Sequence, residues 1–181
     1  MTHPTGTTES TRTAEAGPTI EVPLVVNGHH TVVRVPPDEP LLHTLRDAGH
    51  RDLRGTCGIG VCGTCTVLVD GRVVSSCILL TAQARGRAVT TAAGLRDSSG
   101  GLSPVQRAFL RANAFQCSFC TPAMTLAVHA ALHDPQVRRD AAGIREFLAG
   151  NLCRCGSYPD VLAAVTDLLD RDGEPNEGDV R

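Results

Sequence analysis

Hydrophobic and polar positions near the start of the chain alternate at the period of β-strands. Residues 20–35 hold two runs of β-branched residues on either side of Asn27-Gly28, which predicts a β-hairpin. Residues 41–48 then carry apolar positions at helical spacing. They predict a short helix that ends at Gly49.

The strand-like pattern returns after residue 65. The stretch CTVLVDGRVV predicts a second hairpin with Asp70-Gly71 as its turn, and residues 88–91 predict one more strand. Residues 19–93 are therefore expected to form a small mixed sheet crossed by one helix, which is an α+β unit.

Helical periodicity replaces this pattern in the second half of the chain. Residues 94–102 are small and polar and predict a linker. Ser103 and Gln106 frame a capping box, which predicts the start of a helix. Three more helices are predicted at residues 122–133, at about 140–149 and from about 158 onwards. Since residues 122–133 are apolar almost all round, they are expected to be central to an all-α domain over residues 103–170.

Composition excludes several functions. The 181 residues carry a formal net charge of −2 without a basic tract, and the aromatic residues are four Phe and one Tyr, which argues against nucleic-acid binding. No apolar run approaches the ~20 residues that span a bilayer. Residues 1–18 are expected to form a disordered tail and residues 171–181 a polar one. Because no export signal is recognisable, the sequence predicts a cytoplasmic protein without a membrane partner.

The eight cysteines divide into two sets of four. In the first set, Cys57, Cys62 and Cys65 have C-x4-C-x2-C spacing and Cys77 follows the second hairpin, as in a plant-type 2Fe-2S centre. Interleaved glycines allow the backbone to fold tightly around the metal and to direct N–H groups at its sulfur atoms. Thiols that stay reduced favour metal binding over a disulfide framework.

The second set lies at predicted helix ends. Cys117 and Cys120 fall between the first two helices of the all-α domain, and Cys153 and Cys155 fall between the last two. The helix after Cys120 would direct its positive N-terminal end at an anionic thiolate cluster. Spacing alone leaves both an iron–sulfur centre and zinc open for this set.

Together the two sets resemble the iron–sulfur subunit of the molybdenum hydroxylases, the family of xanthine dehydrogenase, aldehyde oxidoreductase and aerobic carbon-monoxide dehydrogenase. The resemblance is carried by CGIGVCGTCTVLVDG, SPVQRAF, FQCSFCTP and GNLCRCGSYPDV, and it covers about residues 20–170. It implies a ferredoxin-like β-grasp domain followed by a four-helix bundle, each with one 2Fe-2S centre. It thereby favours iron–sulfur over zinc for both sets.

The resemblance also implies roles for particular residues. Cys57, Cys62, Cys65 and Cys77 would ligate the outer centre, and Cys117, Cys120, Cys153 and Cys155 the inner one. Gln116 and Cys155 would approach the pterin. Molybdopterin would lie in a large partner subunit and FAD in a medium one, with this chain passing electrons between them.

The sequence departs from the family pattern around the second set. Ser118 and Ala123 replace glycines, and Gly156-Ser157 stands where the family has Thr-Gly. None of these residues is expected to touch a thiolate. Ser118 is expected to donate a hydrogen bond to a cluster sulfur, so Ser118→Gly should shift the midpoint potential of the inner centre in an EPR-monitored titration.

No residues are placed for substrate chemistry, so electron transfer is the predicted function. His129 and His133 share a helix face, but no carboxylate or cysteine accompanies them, and they are interpreted as packed side chains. Two alternatives stay open: a free-standing two-cluster ferredoxin, and a zinc-stapled interaction module without a redox role.

Overall fold

A computed structural model of the chain describes residues 17–97 and 99–172. Residues 1–16 and 173–181, which make up most of the two predicted tails, lie outside the described residues. Among the described residues, no helix combines the length and the hydrophobicity that crossing a bilayer requires.

The N-terminal half contains a five-stranded mixed sheet with the strand order β2-β1-β5-β3-β4. Only the β1–β5 pair is parallel. Both predicted hairpins are confirmed, and their turn residues all have positive φ angles, as two-residue hairpin turns require. The strands are β1 (Ile20–Val26), β2 (His29–Val35), β3 (Thr66–Val69), β4 (Arg72–Ser75) and β5 (Ala88–Thr90).

One helix, α1 (Leu41–Asp47), covers a face of this sheet as predicted. Its side chains Leu41 and Leu45 are fully buried in a cluster with Val22, Leu24 and Val67 of the strands. This burial is the main stabilisation of a helix too short to form alone.

The C-terminal half contains four helices that share a second hydrophobic cluster. The predicted capping box is present: the Gln106 N–H donates to Ser103 Oγ (3.3 Å), and the Ser103 N–H donates to Gln106 Oε1 (2.9 Å). The helices are α2 (Pro104–Arg111), α3 (Thr121–His133), α4 (Ala141–Phe147) and α5 (Tyr158–Asp172).

The all-round apolar character of α3 has a cause that its sequence does not reveal. One side of α3 packs into the helical cluster through residues such as Met124 and Val128. The opposite side places Leu126 and Ala130 against Leu68 of β3, in a third cluster that joins the two halves. The helix is therefore buried between the other helices and the sheet, rather than among helices alone.

The predicted linker is organised around one carboxylate. Asp97 accepts hydrogen bonds from the N–H groups of Ser99 (3.0 Å) and Gly101 (2.8 Å) and pairs with Arg107 (2.8 Å). The Ser99 hydroxyl, then Arg107 and the Gly101 N–H, lower the pKa of Asp97 to about 2. The loop is thus tied to the first turn of α2.

Asp97→Asn is expected to lower the stability of the chain near neutral pH. Because the folded state depresses the pKa of Asp97, its contribution is complete above the ordinary value of 3.8 and is lost as the pH falls towards about 2. The deficit of the variant should therefore shrink on acidification. Thermal unfolding of the cluster-free full chain between about pH 7 and about pH 3 measures this, because acid would release the sulfide of a bound centre within this range. Asp38→Asn, at an exposed position, is the control, and an equal deficit at every pH would contradict the prediction.

Candidate metal centres

The first cysteine set is assembled by one loop and one hairpin. Cys57, Cys62 and Cys65 lie in the loop between α1 and β3, and Cys77 follows β4, which returns antiparallel to β3. The Ser76 hydroxyl donates to the Cys65 carbonyl (2.6 Å) and fixes the chain beside Cys77. The β3–β4 pairing therefore brings Cys77 beside Cys65 of the loop.

Backbone N–H groups of this loop point at sulfur. The Cys62 N–H donates to Cys57 Sγ (3.5 Å), and the N–H groups of Ile59 and Cys62 lower the pKa of Cys57 to about 6. Burial, followed by the neighbouring thiol of Cys65, raises the pKa of Cys77 to about 11. The loop thus favours a thiolate at its rim, while the buried thiol requires a cation to ionise.

The second set joins two helix–helix connections. Cys120 directly precedes α3, and Cys117 lies in the turn after α2. Cys153 and Cys155 precede α5. Burial, then the Cys153 sulfur, raises the pKa of Cys120 to about 12, whereas the Phe119 N–H and the Cys155 side chain lower the pKa of Cys117. The structure therefore brings the four cysteines of this set to one end of the helices.

Within each set the cysteines meet two by two. Cys57 contacts Cys62 and Cys65 contacts Cys77, while in the second set Cys117 contacts Cys155 and Cys120 contacts Cys153. Two pairs of thiols suit a 2Fe-2S centre, in which each iron takes two protein ligands.

Gln116 and Cys155 lie together at the exposed end of the second set. The Gln116 side chain donates to the Cys155 carbonyl (3.4 Å), and Gln116 is exposed. Their sequence separation gives no sign of this contact. The two residues named from the family resemblance thus form one surface.

Ser118 occupies a backbone position suited to glycine. Its φ of 61° lies in the left-handed region, which explains why glycine is usual there. The side chain is exposed and borders an apolar cavity of ≈ 430 Å³ with Phe115 and Pro122. Among the described residues its hydroxyl makes no hydrogen bond to a cysteine, and the effect of Ser118→Gly on the midpoint stays a prediction.

The expectation that none of the departures touches a thiolate is wrong for Ser157. The Ser157 N–H contacts the Cys153 sulfur, and its hydroxyl also lies near that sulfur. Burial raises the pKa of Cys153, but these contacts, together with that of Cys120, outweigh burial and lower it. Ser157 touches the sulfur because Gly156, with a φ of 76°, turns the chain back over Cys153.

His129 and His133 also lie together, with their ring centroids 4.2 Å apart. His133 Nδ1 is 2.7 Å from the His129 carbonyl oxygen. Burial, then the neighbouring His133, lowers the pKa of His129. His129 is half-buried, as a packed side chain would be, whereas His133 is exposed.

A direct junction between the two cysteine loops was not predicted from the sequence. The Leu152 N–H donates to the Cys62 carbonyl (2.9 Å). The buried Asn151 side chain donates to the Gly63 carbonyl (3.0 Å) and to Thr66 Oγ1 (3.2 Å). Leu152 directly precedes Cys153. Consequently Cys62 of the first set and Cys153 of the second are connected through one hydrogen bond and one residue.

Tyr158 completes the junction on the side of the helices. Its hydroxyl accepts from the Cys153 N–H (2.8 Å) and donates to the Asn151 carbonyl (3.1 Å). The loop that carries Cys153 is thus fixed both to the other cysteine loop and to α5.

Two paired cysteine sets, one in an α+β half and one in a helical half, define a class of protein that holds two iron–sulfur centres. Comparisons with known protein families agree. Residues 24–92 match the family described as a 2Fe-2S iron-sulfur cluster binding domain, and residues 91–166 match the family described as a 2Fe-2S binding domain.

Similar proteins cover both halves of the chain. The xanthine dehydrogenase iron-sulfur-binding subunit of Escherichia coli O157:H7 is 40% identical over 151 residues, which are 82% of this chain and 94% of that protein. The nicotine 6-hydroxylase small subunit of Paenarthrobacter nicotinovorans is 39% identical over 159 residues, which are 87% of this chain and 94% of that protein.

Solved structures show the same fold. In quinoline 2-oxidoreductase from Pseudomonas putida 86, a chain with 34% identity superposes with a TM-score of 0.75, covering 87% of this chain and 99% of that one. Aldehyde oxidoreductase from Desulfovibrio desulfuricans ATCC 27774 gives a TM-score of 0.75 at 34% identity, covering 83% of this chain but 17% of that one. The chain belongs to the 2Fe-2S subunits of the molybdenum hydroxylases, which are oxidoreductases.

Proposed function

We propose that the chain relays electrons from a molybdopterin centre in a large partner subunit to FAD in a medium partner subunit. The observation that carries this proposal is the junction between the loops of Cys62 and Cys153, in which two hydrogen bonds join the loop of one cysteine set to that of the other. When bound, a pair of 2Fe-2S centres exchanges electrons singly. A fixed path between two such centres suits a relay better than two independent binding domains would.

The eight cysteines are assigned to two centres according to which cysteines contact one another. We assign Cys57, Cys62, Cys65 and Cys77 to the outer centre in a ferredoxin-like β-grasp domain. Cys117, Cys120, Cys153 and Cys155 are assigned to the inner centre in a four-helix bundle. The N–H groups directed at Cys57 and Cys153 stabilise negative charge on sulfur and so help to set each potential.

Gln116 and Cys155 are proposed to face the pterin of the large subunit. Their mutual hydrogen bond leaves the rest of the Gln116 side chain exposed at the end of the second set. A carboxamide there could donate to and accept from a heterocycle edge.

Exposed hydrophobic side chains support docking to partner chains at both sets. Among the described residues, most of the large hydrophobic side chains that remain exposed lie one or two positions along the chain from a cysteine. They are Ile59, Val61 and Ile78 at the first set, and Phe119 and Leu152 at the second. Clusters of this kind mark protein interfaces. We propose that the FAD-binding chain covers the former and the molybdopterin-binding chain the latter, in a cytoplasmic complex.

Anaerobic purification of the tagged full-length chain from its native host tests the proposal. We expect a large and a medium chain to co-purify, with molybdenum and FAD, and dithionite to produce two distinct 2Fe-2S EPR signals. Recovery of a monomer with two reducible centres would instead support the free-standing ferredoxin. A colourless preparation that contains zinc but no acid-labile sulfide would support the zinc-stapled module.

A further inference from the structure

Ser157 carries a buried hydroxyl that makes no hydrogen bond to a nitrogen or oxygen atom of the described residues. The residue is 3% exposed, and among the described residues its Oγ is the one buried side-chain oxygen or nitrogen atom that makes no hydrogen bond. Leaving a buried hydroxyl unpaired costs free energy, so each such group calls for an explanation.

The position of Ser157 makes its unpaired hydroxyl more unusual. The Val161 N–H donates to the Ser157 carbonyl (3.0 Å), so Ser157 stands where the capping residue of α5 is expected. A serine there ordinarily uses its oxygen to accept a hydrogen bond from the first turn of the helix. Here the hydroxyl makes no such bond and remains unpaired beside the inner cysteines.

The surrounding turn presents Ser157 to sulfur. The Gly156 N–H donates to the Cys153 carbonyl (3.3 Å), and the positive φ of Gly156 reverses the chain. Tyr158 holds the other side of the turn through the Cys153 N–H (2.8 Å). The Ser157 N–H already contacts the Cys153 sulfur, and the hydroxyl lies beside it.

We infer that the Ser157 hydroxyl donates a hydrogen bond to a sulfur atom of the inner 2Fe-2S centre and raises its midpoint potential. This inference rests on the proposed function, because the sulfur belongs to the centre that the inner cysteines would hold. Reduction adds one electron and one negative charge to the thiolate-bound centre. A donor on sulfur therefore stabilises the reduced state more than the oxidised one.

The test is an EPR-monitored redox titration of Ser157→Ala in the anaerobically prepared full chain. We expect the midpoint of the inner centre to shift to a more negative potential, while that of the outer centre is unchanged. Ser103→Ala is the matched control, since Ser103 is equally buried at 3% but caps α2 away from the cysteines. It should lower stability without moving either midpoint.

Electron-nuclear double resonance gives a second readout that does not depend on a variant. In the wild-type chain, the reduced inner centre should show one exchangeable-proton coupling in addition to those of the backbone N–H groups that face the Cys153 sulfur. The same coupling should be absent in Ser157→Ala and in Ser157→Gly. The glycine variant covers the case in which alanine perturbs folding.

Three results would overturn the inference. They are an unchanged inner midpoint in Ser157→Ala, an equal shift in Ser103→Ala, and a set of exchangeable couplings in both Ser157 variants that is the same as in the wild-type chain. A wild-type chain without a reducible inner centre would instead contradict the proposed function, so the two failures are distinguishable.

Discussion

Cys117→Ser is expected to remove the inner 2Fe-2S centre and to leave the outer one in place. Cys117 is paired with Cys155, and the other inner pair lies on the same loops, so losing one thiolate leaves one iron with a single protein ligand. Iron should fall from about four to about two atoms per chain. Because metal binding contributes to folding free energy, the helical half should lose about 4 kcal/mol or more of stability.

Iron and acid-labile sulfide assays, together with EPR of the dithionite-reduced protein, measure the first effect. Anaerobic thermal unfolding measures the second. Cys57→Ser provides the reciprocal control, because it should remove the outer signal and spare the inner one. If Cys117→Ser retained both signals with its iron content unchanged, the assignment of this set would be wrong.

Much of the fold follows from local sequence signals. The Asn27-Gly28 and Asp70-Gly71 turns and the Ser103 capping box each specify their element through residues a few positions apart. The order of the cysteines on these elements then indicates the two sets. The cysteines within each set come together once the β3–β4 hairpin and the helix ends have formed.

The contacts that join the two halves could not be predicted in this way. Asn151 and Gly63 are 88 positions apart, and neither has a neighbour that signals the other. Likewise, the periodicity of α3 shows that both of its sides are buried, but not that Leu126 meets the sheet. Such contacts depend on how preformed elements dock, and a single sequence contains no record of that.

The orientation of the Ser157 side chain also could not be predicted from the sequence. A serine before a helix predicts a cap, and that local rule is usually sufficient. Here the turn at Gly156 brings Ser157 beside Cys153 instead. The capping rule therefore fails at Ser157, which lies beside the inner cysteines. Functional sites are where such local sequence rules are expected to fail.

Gly63→Ala is expected to destabilise both halves at once, because Gly63 lies in the junction between the cysteine loops. Its φ of 67° is unfavourable for alanine, which costs about 1–2 kcal/mol. A Cβ atom would also clash with the Gly150 carbonyl oxygen and lie 2.7 Å from Asn151 Nδ2. Relief requires the loops to separate, which would break the Asn151 hydrogen bonds, so we expect a total loss of about 3–4 kcal/mol.

Gly71→Ala separates the two causes of this loss. Gly71 has a φ of 79° but no atom within 4 Å of the added Cβ, so it reports the backbone cost alone. Anaerobic urea unfolding of the full chain should show Gly63→Ala to be less stable than Gly71→Ala by roughly 2 kcal/mol. The spin coupling between the two reduced centres should weaken only in Gly63→Ala, since the distance between the loops changes only there. Equal losses in the two variants, with the coupling unaltered in both, would mean that the junction does not hold the two halves together.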